Sequence, residues 1–306
     1  MSKNITNVFT IDVEDWFHIL DLEQGIDRAD WSRQESRVER NTERLLDLLR
    51  QHRTHATCFV LGWIAEHYPA LVKTLDAEGH EIAAHGYAHE LIYERGPEDL
   101  RSDLQRSIEL LGTIVGRPPL GYRAPGFSIT KDCLWAFSIM ADLGLKYDSS
   151  VFPAPRGHGG LEDGCPRPHR IQIDDARWLV ELPMSTTRVC GRRVAYCGGG
   201  YLRLFPLTLI RAAIRKANSQ GVPVILYIHP RDIDPDQPRI AMPLGRRVKS
   251  YVGLRTTYDK LNALLGEFPF DRADRVIESL DLEAAPVVRL AATRPCSPDH
   301  CEASEI

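Results

Sequence analysis

Short apolar runs alternate with amphipathic segments from the start of the chain to about residue 230. The apolar runs predict strands at residues 7–13, 56–61, 81–84, 122–123, 178–182 and 222–228. Apolar residues at helical spacing predict helices at residues 38–52, 68–78, 97–115, 131–143 and 205–219, with Asn41 as a candidate N-cap of the first. Alternating strands and helices favour a parallel sheet with helical cover, and the strand count favours a closed or nearly closed barrel over an open sheet.

A barrel of this kind would place functional groups at the C-terminal ends of its strands. Asp12, His85 and His229 each follow an apolar run, and Arg123 lies in a shorter predicted strand. These polar residues therefore occur at or near the predicted strand ends, where a barrel of this kind places its functional groups.

The chain shows no linker rich in glycine and serine and no internal repeat. We therefore predict a single domain over residues 1–281. Residues 282–306 lose periodicity and are predicted to be a flexible tail.

Composition narrows the class of protein. The 306 residues are 43% hydrophobic and 26% charged, and their net charge of -4 disfavours a nucleic-acid partner. No apolar run approaches the roughly 18 residues of a membrane span, and residues 1–10 lack signal-peptide features, so we expect a cytoplasmic protein. The seven cysteines form neither an obvious disulfide framework nor a C-x-x-C pair.

Two short motifs carry candidate metal ligands. The first is DVEDW at residues 12–16, where three carboxylates crowd the end of a strand and are most simply held together by a cation or a shared proton. The second is HGYAH at residues 85–89, where a helical turn would put both histidines on one face. A solvated turn and two surface histidines are the alternatives.

Two later motifs could supply a positioning cation and a proton donor. Arg123 precedes the rigid Pro125 and could hold a carboxylate, although a surface arginine before a turn has the same pattern. His229 ends an apolar strand as a possible acid or base, or as a structural residue. Together, two carboxylates, two histidines, the arginine and the late histidine could form a metal site with a base and an acid.

In this order, the motifs resemble the polysaccharide deacetylases of carbohydrate esterase family 4, from about residue 9 to residue 230. The most specific similarity lies in ATCFVLG at residues 56–62 and GHEIAAHGYAH at residues 79–89. The segment from Tyr147 to Ser150 is also similar to the family. The resemblance implies a distorted (β/α) barrel and one divalent metal ion, often zinc.

The resemblance also implies roles for individual residues. Asp12 resembles the general base, and His85 and His89 resemble metal ligands. Arg123 resembles the residue that tethers the base, and His229 resembles the acid that protonates the leaving amine. The backbone N–H of Gly126 resembles the oxyanion donor.

The motifs depart from the family pattern at two positions. Val13 follows Asp12 where the family has a second aspartate, so the carboxylate ligand is either Glu14 or Asp15. Gly126 replaces a bulky aromatic, which implies a more open subsite. Asp232 could orient His229, and Tyr201, like Trp16 and Phe17, could stack on a sugar ring or belong to the core.

A narrower resemblance is to a subgroup found beside bacterial exopolysaccharide gene clusters. It rests on DVEDWFH at residues 12–18, GGGYLRL at residues 198–204, YIHP at residues 227–230 and a basic C-terminal segment at residues 245–257. This resemblance implies a C-terminal extension of the barrel from about residue 231.

The function implied is hydrolysis of an N-acetyl group on an amino sugar, with release of acetate. The substrate would be a polysaccharide or a cytoplasmic precursor, such as a lipid-linked or nucleotide-linked sugar. A metal-independent amidase acting on a non-sugar amide, a non-catalytic sugar-binding module and an unrelated metallohydrolase are the alternatives. The intact histidines disfavour the metal-free amidase and the binding module, and the Arg123 and His229 motifs disfavour an unrelated metallohydrolase.

Overall fold

A computed structural model describes residues 5–20, 25–156 and 159–290. It shows an α/β chain built on one large, mostly parallel sheet covered by helices, which confirms the predicted fold class.

The strands are β1 (Asn7–Val13), β2 (Thr57–Val60), β3 (Glu81–Ala84), β4 (Gly121–Tyr122), β5 (Tyr147–Asp148), β6 (His169–Gln172), β7 (Trp178–Glu181), β8 (Thr186–Val189), β9 (Arg192–Ala195), β10 (Ile225–Ile228), β11 (Phe270–Asp271) and β12 (Val287–Arg289). The helices are α1 (Val38–His52), α2 (Gly62–His67), α3 (Pro69–Ala77), α4 (Pro97–Val115), α5 (Ala136–Asp142), α6 (Gly199–Leu204), α7 (Leu207–Ser219), α8 (Leu244–Tyr251), α9 (Leu254–Leu265) and α10 (Ala273–Ser279).

The large sheet has ten strands in the order β10-β1-β2-β3-β4-β5-β7-β6-β12, and β11 pairs with the start of β1. The path from β10 to β7 is parallel throughout, whereas β6 runs antiparallel to β7. Within the described residues the end strands β10 and β12 do not pair with each other. Strands β8 and β9 form a separate hairpin.

The strands from β10 to β5 are buried on both faces, as expected for parallel strands under helical cover. All seven residues of β1 are buried. Phe9 and Ile11 belong to a core cluster that includes the leucines of α1, whereas Val8, on the other face, joins a second cluster with Phe59 and Tyr227. The alternation of strand side chains thus creates two apolar layers from one sheet.

Several predicted elements have different bounds in the structure. The helix expected at residues 131–143 consists of a 3-10 turn, Lys131–Cys133, followed by α5. The helix expected at residues 205–219 is α7, which begins after Pro206 because proline cannot continue a preceding helix; the short α6 comes before it.

The prediction of Asn41 as an N-cap was wrong. Asn41 lies buried inside α1, and its amide donates a hydrogen bond to Asp234.

The C-terminal part of the chain adds to the sheet. Residues 287–289 form β12 and pair with β6, although a flexible tail was expected from residue 282. The remainder of that predicted tail, from residue 291, lies outside the described residues. Of the helices in the described ranges, none is both long enough and apolar enough to cross a lipid bilayer.

Candidate active site

The candidate residues come together because they follow neighbouring parallel strands. Strands β10, β1, β2, β3 and β4 are adjacent, and their C-terminal ends share one edge of the sheet. Asp12 and Glu14 come from the end of β1, His85 follows β3, Arg123 follows β4 and His229 follows β10. The carboxylates and histidines line a single cleft, and Arg123 lies buried beside it.

Arg123 connects the proposed base to a proposed metal ligand. Its side chain is fully buried, and Nη1 donates to Asp12 Oδ1 at 2.6 Å and to Thr10 Oγ1 at 2.8 Å. Its carbonyl oxygen lies 2.7 Å from His85 Nδ1. A carbonyl can only accept, so His85 carries a proton on Nδ1 and its Nε2 lone pair is available as a ligand.

The segment after β5 accepts further hydrogen bonds from the Arg123 side chain. Arg123 Nε donates to the carbonyl oxygen of Ser149, and Nη2 donates to the Ser149 hydroxyl. The next hydroxyl, Ser150 Oγ, accepts from the Ala124 N–H and donates to Asp148. The sequence predicts no role for this segment beyond its similarity to the family, and these contacts explain why serines follow β5.

Glu14, His85 and His89 form the group that could hold a metal ion. One ligand atom from each lies within 4.8 Å of the others, and all three residues are buried. Glu14 Oε2 lies 2.7 Å from His89 Nε2, yet it makes no hydrogen bond among the described residues. A buried carboxylate oxygen that has no hydrogen bond and lies beside two imidazoles is suited to bind a divalent cation such as zinc.

The electrostatics of the cluster favour the protonation states that can bind a metal ion, a neutral His85 and an ionised Glu14. Burial lowers the pKa of His85 to about 3, which leaves a neutral imidazole near pH 7. Burial alone would raise the pKa of Glu14, but His89 and His229 hold it below its usual range and keep the carboxylate ionised. Neutral histidines with one carboxylate are a common donor set for zinc.

The histidine motif does not form the helical turn that was expected. Residues 85–89 are irregular, and both Gly86 and His89 have positive φ angles, of 71° and 55°. Asp103 accepts hydrogen bonds from the N–H groups of Tyr87 and Ala88 and fixes this turn. The two rings therefore meet, with centroids 5.2 Å apart, through a loop rather than through helical spacing.

Asp15, the other candidate ligand, has a structural role instead. Its Oδ2 accepts from Ser36 Oγ and from the N–H groups of Arg37 and Val38 at the start of α1, and its Oδ1 accepts from the Trp16 N–H. Asp15 thus caps α1, and because its oxygens are already engaged, Glu14 is the ligand candidate of the pair that the contacts favour.

His229 lies close to both Asp12 and Glu14 and is held by Asp232. Its Nδ1 lies 2.9 Å from Asp232 Oδ2, so Nδ1 donates, and Nε2 lies 3.8 Å from Asp12 Oδ2 and 3.5 Å from Glu14 Oε1. Burial lowers the pKa of His229 to about 4, against the opposing effect of Glu14 and Asp12. The resting ring is therefore neutral near pH 7 and would act as an acid after receiving a proton.

Arg203 was not predicted as a site residue, but it contacts Oδ1 of Asp232, whereas His229 contacts Oδ2. Arg203 is buried in α6, within the GGGYLRL segment. The glycines allow α6 to approach β10, because a Cβ on Gly198 (φ 147°) would lie 2.1 Å from a ring carbon of Tyr227. The run of three glycines before an arginine was the available signal.

His18 ends the DVEDWFH motif, and the sequence predicts no role for it. Its Nδ1 accepts a hydrogen bond from the Asp15 N–H, so the neutral ring carries its proton on Nε2. Nε2 is buried without a hydrogen-bond partner among the described residues, and the side chain lines the cleft.

The remaining predicted contacts have mixed outcomes. Gly126 lines the cleft with a φ of 62°. Tyr201 is not among the residues that line it, since its ring packs on Phe152 and Phe205. Trp16 and Phe17 are buried in the core, which was the alternative to sugar stacking that the sequence left open for them.

Two family models match this chain, one after the other. Residues 30–147 match Polysaccharide deacetylase, and residues 149–278 match Domain of unknown function (DUF3473). His85, His89, Arg123 and Gly126 fall in the first match and His229 in the second, whereas Asp12 and Glu14 precede both.

Curated relatives point the same way. The chain is 35% identical over 96 residues to a peptidoglycan-N-acetylglucosamine deacetylase of Bacillus cereus, covering 31% of this chain and 35% of the relative. It is 31% identical over 157 residues to a peptidoglycan deacetylase of Helicobacter pylori, covering 49% of this chain and 51% of the relative. The chain thus spans about a third to a half of the length of these relatives.

A solved structure shares the fold over nearly the whole chain. It is that of a putative polysaccharide deacetylase from Mycobacterium smegmatis, which covers 96% of both chains with a TM-score of 0.64 at 22% identity. This similarity supports a barrel-like α/β fold. Residues 30–147 are thus similar to polysaccharide deacetylases, and they continue into a region that matches a domain of unknown function.

Proposed function

We propose that this protein is a metal-dependent N-deacetylase that hydrolyses the acetamido group of an amino sugar and releases acetate. The observation that carries the proposal is the convergence on one cleft of two groups. One is the ligand set Glu14, His85 and His89. The other is the pair of proton-transfer candidates Asp12 and His229, whose facing atoms are 3.8 Å apart.

Each residue has a role that its contacts support. A divalent cation held by Glu14, His85 and His89 would supply a Lewis acid for the acetyl carbonyl and make a water molecule more acidic. Asp12, fixed by Arg123, takes the proton of the attacking water. The N–H of Gly126 stabilises the oxyanion, a contact worth about 3 kcal/mol in comparable sites.

His229 completes the proton transfer. Asp232 holds the ring by Nδ1 and turns Nε2 towards Asp12 and Glu14. A ring that is neutral at rest can accept the proton gathered at Asp12 and then protonate the leaving nitrogen. Acetate and a free amine result.

The finer parts of the proposal concern substrate and setting. The named activities of the relatives favour an N-acetylated sugar in a polysaccharide or its precursor. The donor set favours zinc. Residues 245–257 and the GGGYLRL segment support membership of the exopolysaccharide-associated subgroup. Action in the cytoplasm is part of the proposal, and fractionation of cells that produce the protein tests it.

The first experiment measures metal content and acetate release on the same preparations. We expect about one zinc ion per chain in the purified protein and none in the variant that carries both His85→Ala and His89→Ala. Acetate release from N-acetylated oligosaccharides should vanish in the variant and on chelation, and should return when zinc is added to the unmodified protein.

Other outcomes favour the alternatives. Hydrolysis of non-sugar amides that persists without metal would support a metal-independent amidase. Binding of acetylated sugars without acetate release, at full metal occupancy, would support a non-catalytic carbohydrate-binding module. Either result contradicts the proposed function.

A further inference from the structure

A groove with mostly apolar walls lies between the β8–β9 hairpin and α7. Its volume is about 250 Å³, and we call it the apolar groove. The hairpin contributes Val189 and Val194 to its lining, and α7 contributes Leu209, Ala212 and Ala213. The groove is open to solvent, so these apolar side chains are available to a partner.

Helix α7 carries apolar residues on two faces. Ile210 and Ile214 are buried against the core. Leu209, Ala212 and Ala213 follow one another at helical spacing on a second face, and Leu209 is 60% exposed. A helix that covers a sheet usually turns polar residues away from the core, so a second apolar face is typical of an interaction surface.

The end of the hairpin adds exposed cations beside the apolar groove. Cys190 and Gly191 form its two-residue turn, with φ angles of 49° and 80°. Residues 188–192, here called the hairpin tip, also contain Val189, which is 53% exposed, and the exposed Arg188 and Arg192. Neither arginine has a hydrogen bond or an ion pair from its side chain to the described residues.

The hairpin tip carries more positive than negative charge among the described residues. Glu162 and Asp163 line a depression together with the arginines of the hairpin. Asp163 pairs with Lys131 at 2.7 Å, which leaves Glu162 as the carboxylate of this depression that is not paired elsewhere. Arg193, next to the tip, donates to backbone carbonyls and therefore adds a third positive charge.

The apolar groove lies next to the cleft along the chain. Arg203 lines the cleft, the following Leu204 is 56% exposed, and Phe205 lines the apolar groove. A partner bound at the apolar groove would therefore lie beside the cleft. The groove and the hairpin tip both belong to residues 149–278, which match the domain of unknown function.

We infer that the apolar groove and the hairpin tip bind the surface of a membrane that contains anionic lipids. Apolar side chains beside exposed arginines suit such a surface, because the apolar groups enter the headgroup boundary and the cations attract lipid phosphates. A second copy of this chain is a poorer partner, since a two-fold interface would bring the arginines of the two tips towards each other.

This inference goes beyond the proposed function, because membrane binding requires no hydrolysis. It also affects how a substrate would reach the cleft. A chain bound in this way would hold the cleft next to lipid headgroups, where a lipid-linked amino sugar is presented.

Sedimentation of the whole chain with vesicles tests the inference. One set of vesicles contains phosphatidylcholine alone, and the other contains equal parts of phosphatidylcholine and phosphatidylglycerol. We expect binding to the mixed vesicles to be about tenfold tighter or more, and to weaken at high salt because exposed charges are screened. Absence of binding to the mixed vesicles would overturn the inference and leave an acidic protein as the partner to consider.

Charge variants test the hairpin tip. Arg188→Gln with Arg192→Gln should weaken binding to the mixed vesicles by about tenfold or more, since each cation near an anionic surface contributes to the attraction. Arg53→Gln with Lys73→Gln is the matched control. It removes two exposed cations, after α1 and in α3, and changes the net charge by the same amount. The control should bind like the unmodified protein.

Apolar variants test the groove. Val189→Thr with Leu209→Gln keeps a β-branched residue in the strand and a good helix former in α7, so the melting temperature should change little. Binding to the mixed vesicles should weaken by about tenfold. The matched control, Leu120→Gln with Val287→Thr, changes two exposed apolar residues outside the groove and should bind normally.

The remaining outcomes are decisive as well. Equal vesicle binding by the groove variants and their controls would overturn the inference. Self-association in sedimentation velocity that Val189→Thr with Leu209→Gln abolishes would assign the groove to a second copy, and so would also contradict a membrane partner. Acetate release without vesicle binding would overturn this inference alone, whereas vesicle binding without acetate release would support it and count only against the proposed function.

Discussion

At the scale of single residues, Arg123 links the two halves of the proposed chemistry. Its guanidinium fixes Asp12, while its carbonyl fixes the tautomer of His85. The side chain also lies over the ring of Phe59, with Cζ 4.2 Å from the centroid. A planar fork that donates in three directions is needed here, and lysine cannot provide it.

Arg123→Lys should therefore lower kcat by about a hundredfold, the scale expected when a catalytic group is slightly misplaced. Metal content should be unchanged, because the contact to His85 is made by the backbone. Ser149→Ala removes one hydrogen bond to the same guanidinium and should cost about 1 kcal/mol of stability, with a smaller loss of kcat. Equal activity of Arg123→Lys and the unmodified protein would contradict the role of the fork.

Adjacent carboxylates at the end of β1 should give different phenotypes. Glu14→Gln should lose the metal, because an amide is a poor replacement for an anionic ligand. Asp15→Ala should keep the metal and lose about 1 kcal/mol of stability, because it removes the cap of α1. Elemental analysis and thermal unfolding of both variants distinguish these cases, and loss of metal from Asp15→Ala alone would reverse the assignment.

At the scale of elements, the sequence predicted β1, α1, β3 and α4 with the bounds that the structure shows. Buried parallel strands and amphipathic helices leave a strong pattern, and His85 and His229 were expected at strand ends because they follow apolar runs. The turn at residues 85–89 was not predictable, since it depends on Asp103 in α4 and on a positive φ at His89.

The cations of the cleft were not predictable from local pattern for a related reason. The cleft is lined by cations separated by up to 93 positions, from Arg156 to Lys249, and each alone resembles an ordinary surface cation. Arg203 even occupies a position in α6 where spacing cannot reveal that it is buried against Asp232. Tertiary structure, rather than periodicity, decides such contacts.

The end of β7 should impose a pH dependence on stability. Glu181 is fully buried, and its pKa is raised well above its usual value by burial and by the adjacent Asp148. The folded protein therefore keeps Glu181 protonated where the unfolded chain is ionised. Stability from this group is present below the usual pKa of a glutamate and is lost as pH rises towards the raised value.

Glu181 Oε1 accepts a hydrogen bond from the Val151 N–H at 3.0 Å. Glu181→Gln removes the ionisation and keeps an oxygen that can accept this hydrogen bond. The melting temperature of the variant, relative to that of the unmodified protein, should increase as pH rises from 6 to 8.5. Thermal unfolding across that interval checks the prediction, and parallel curves for the two proteins would show that Glu181 does not titrate there on unfolding.

At the scale of the whole molecule, the two matched regions share one sheet. Strand β1 precedes both matches and pairs with β2 from the first and with β10 from the second. The cleft likewise takes His85 and His89 from the first region and His229 from the second. Neither region contains the complete site, so the polysaccharide deacetylase region alone does not account for the proposed function.

Metal binding should therefore stabilise the whole chain rather than one region. Added zinc at about a hundred times its dissociation constant should contribute about 2.7 kcal/mol if it binds only the folded state. Because Glu14 follows β1 and the histidines follow β3, and β1 also pairs with β10, the gain should appear as an upward shift of a single unfolding transition. The variant with His85→Ala and His89→Ala should show no shift, whereas Arg247→Gln, which changes an exposed residue of α8, should shift like the unmodified protein. Two transitions, with only one responding to zinc, would mean that the two matched regions unfold independently despite their shared sheet.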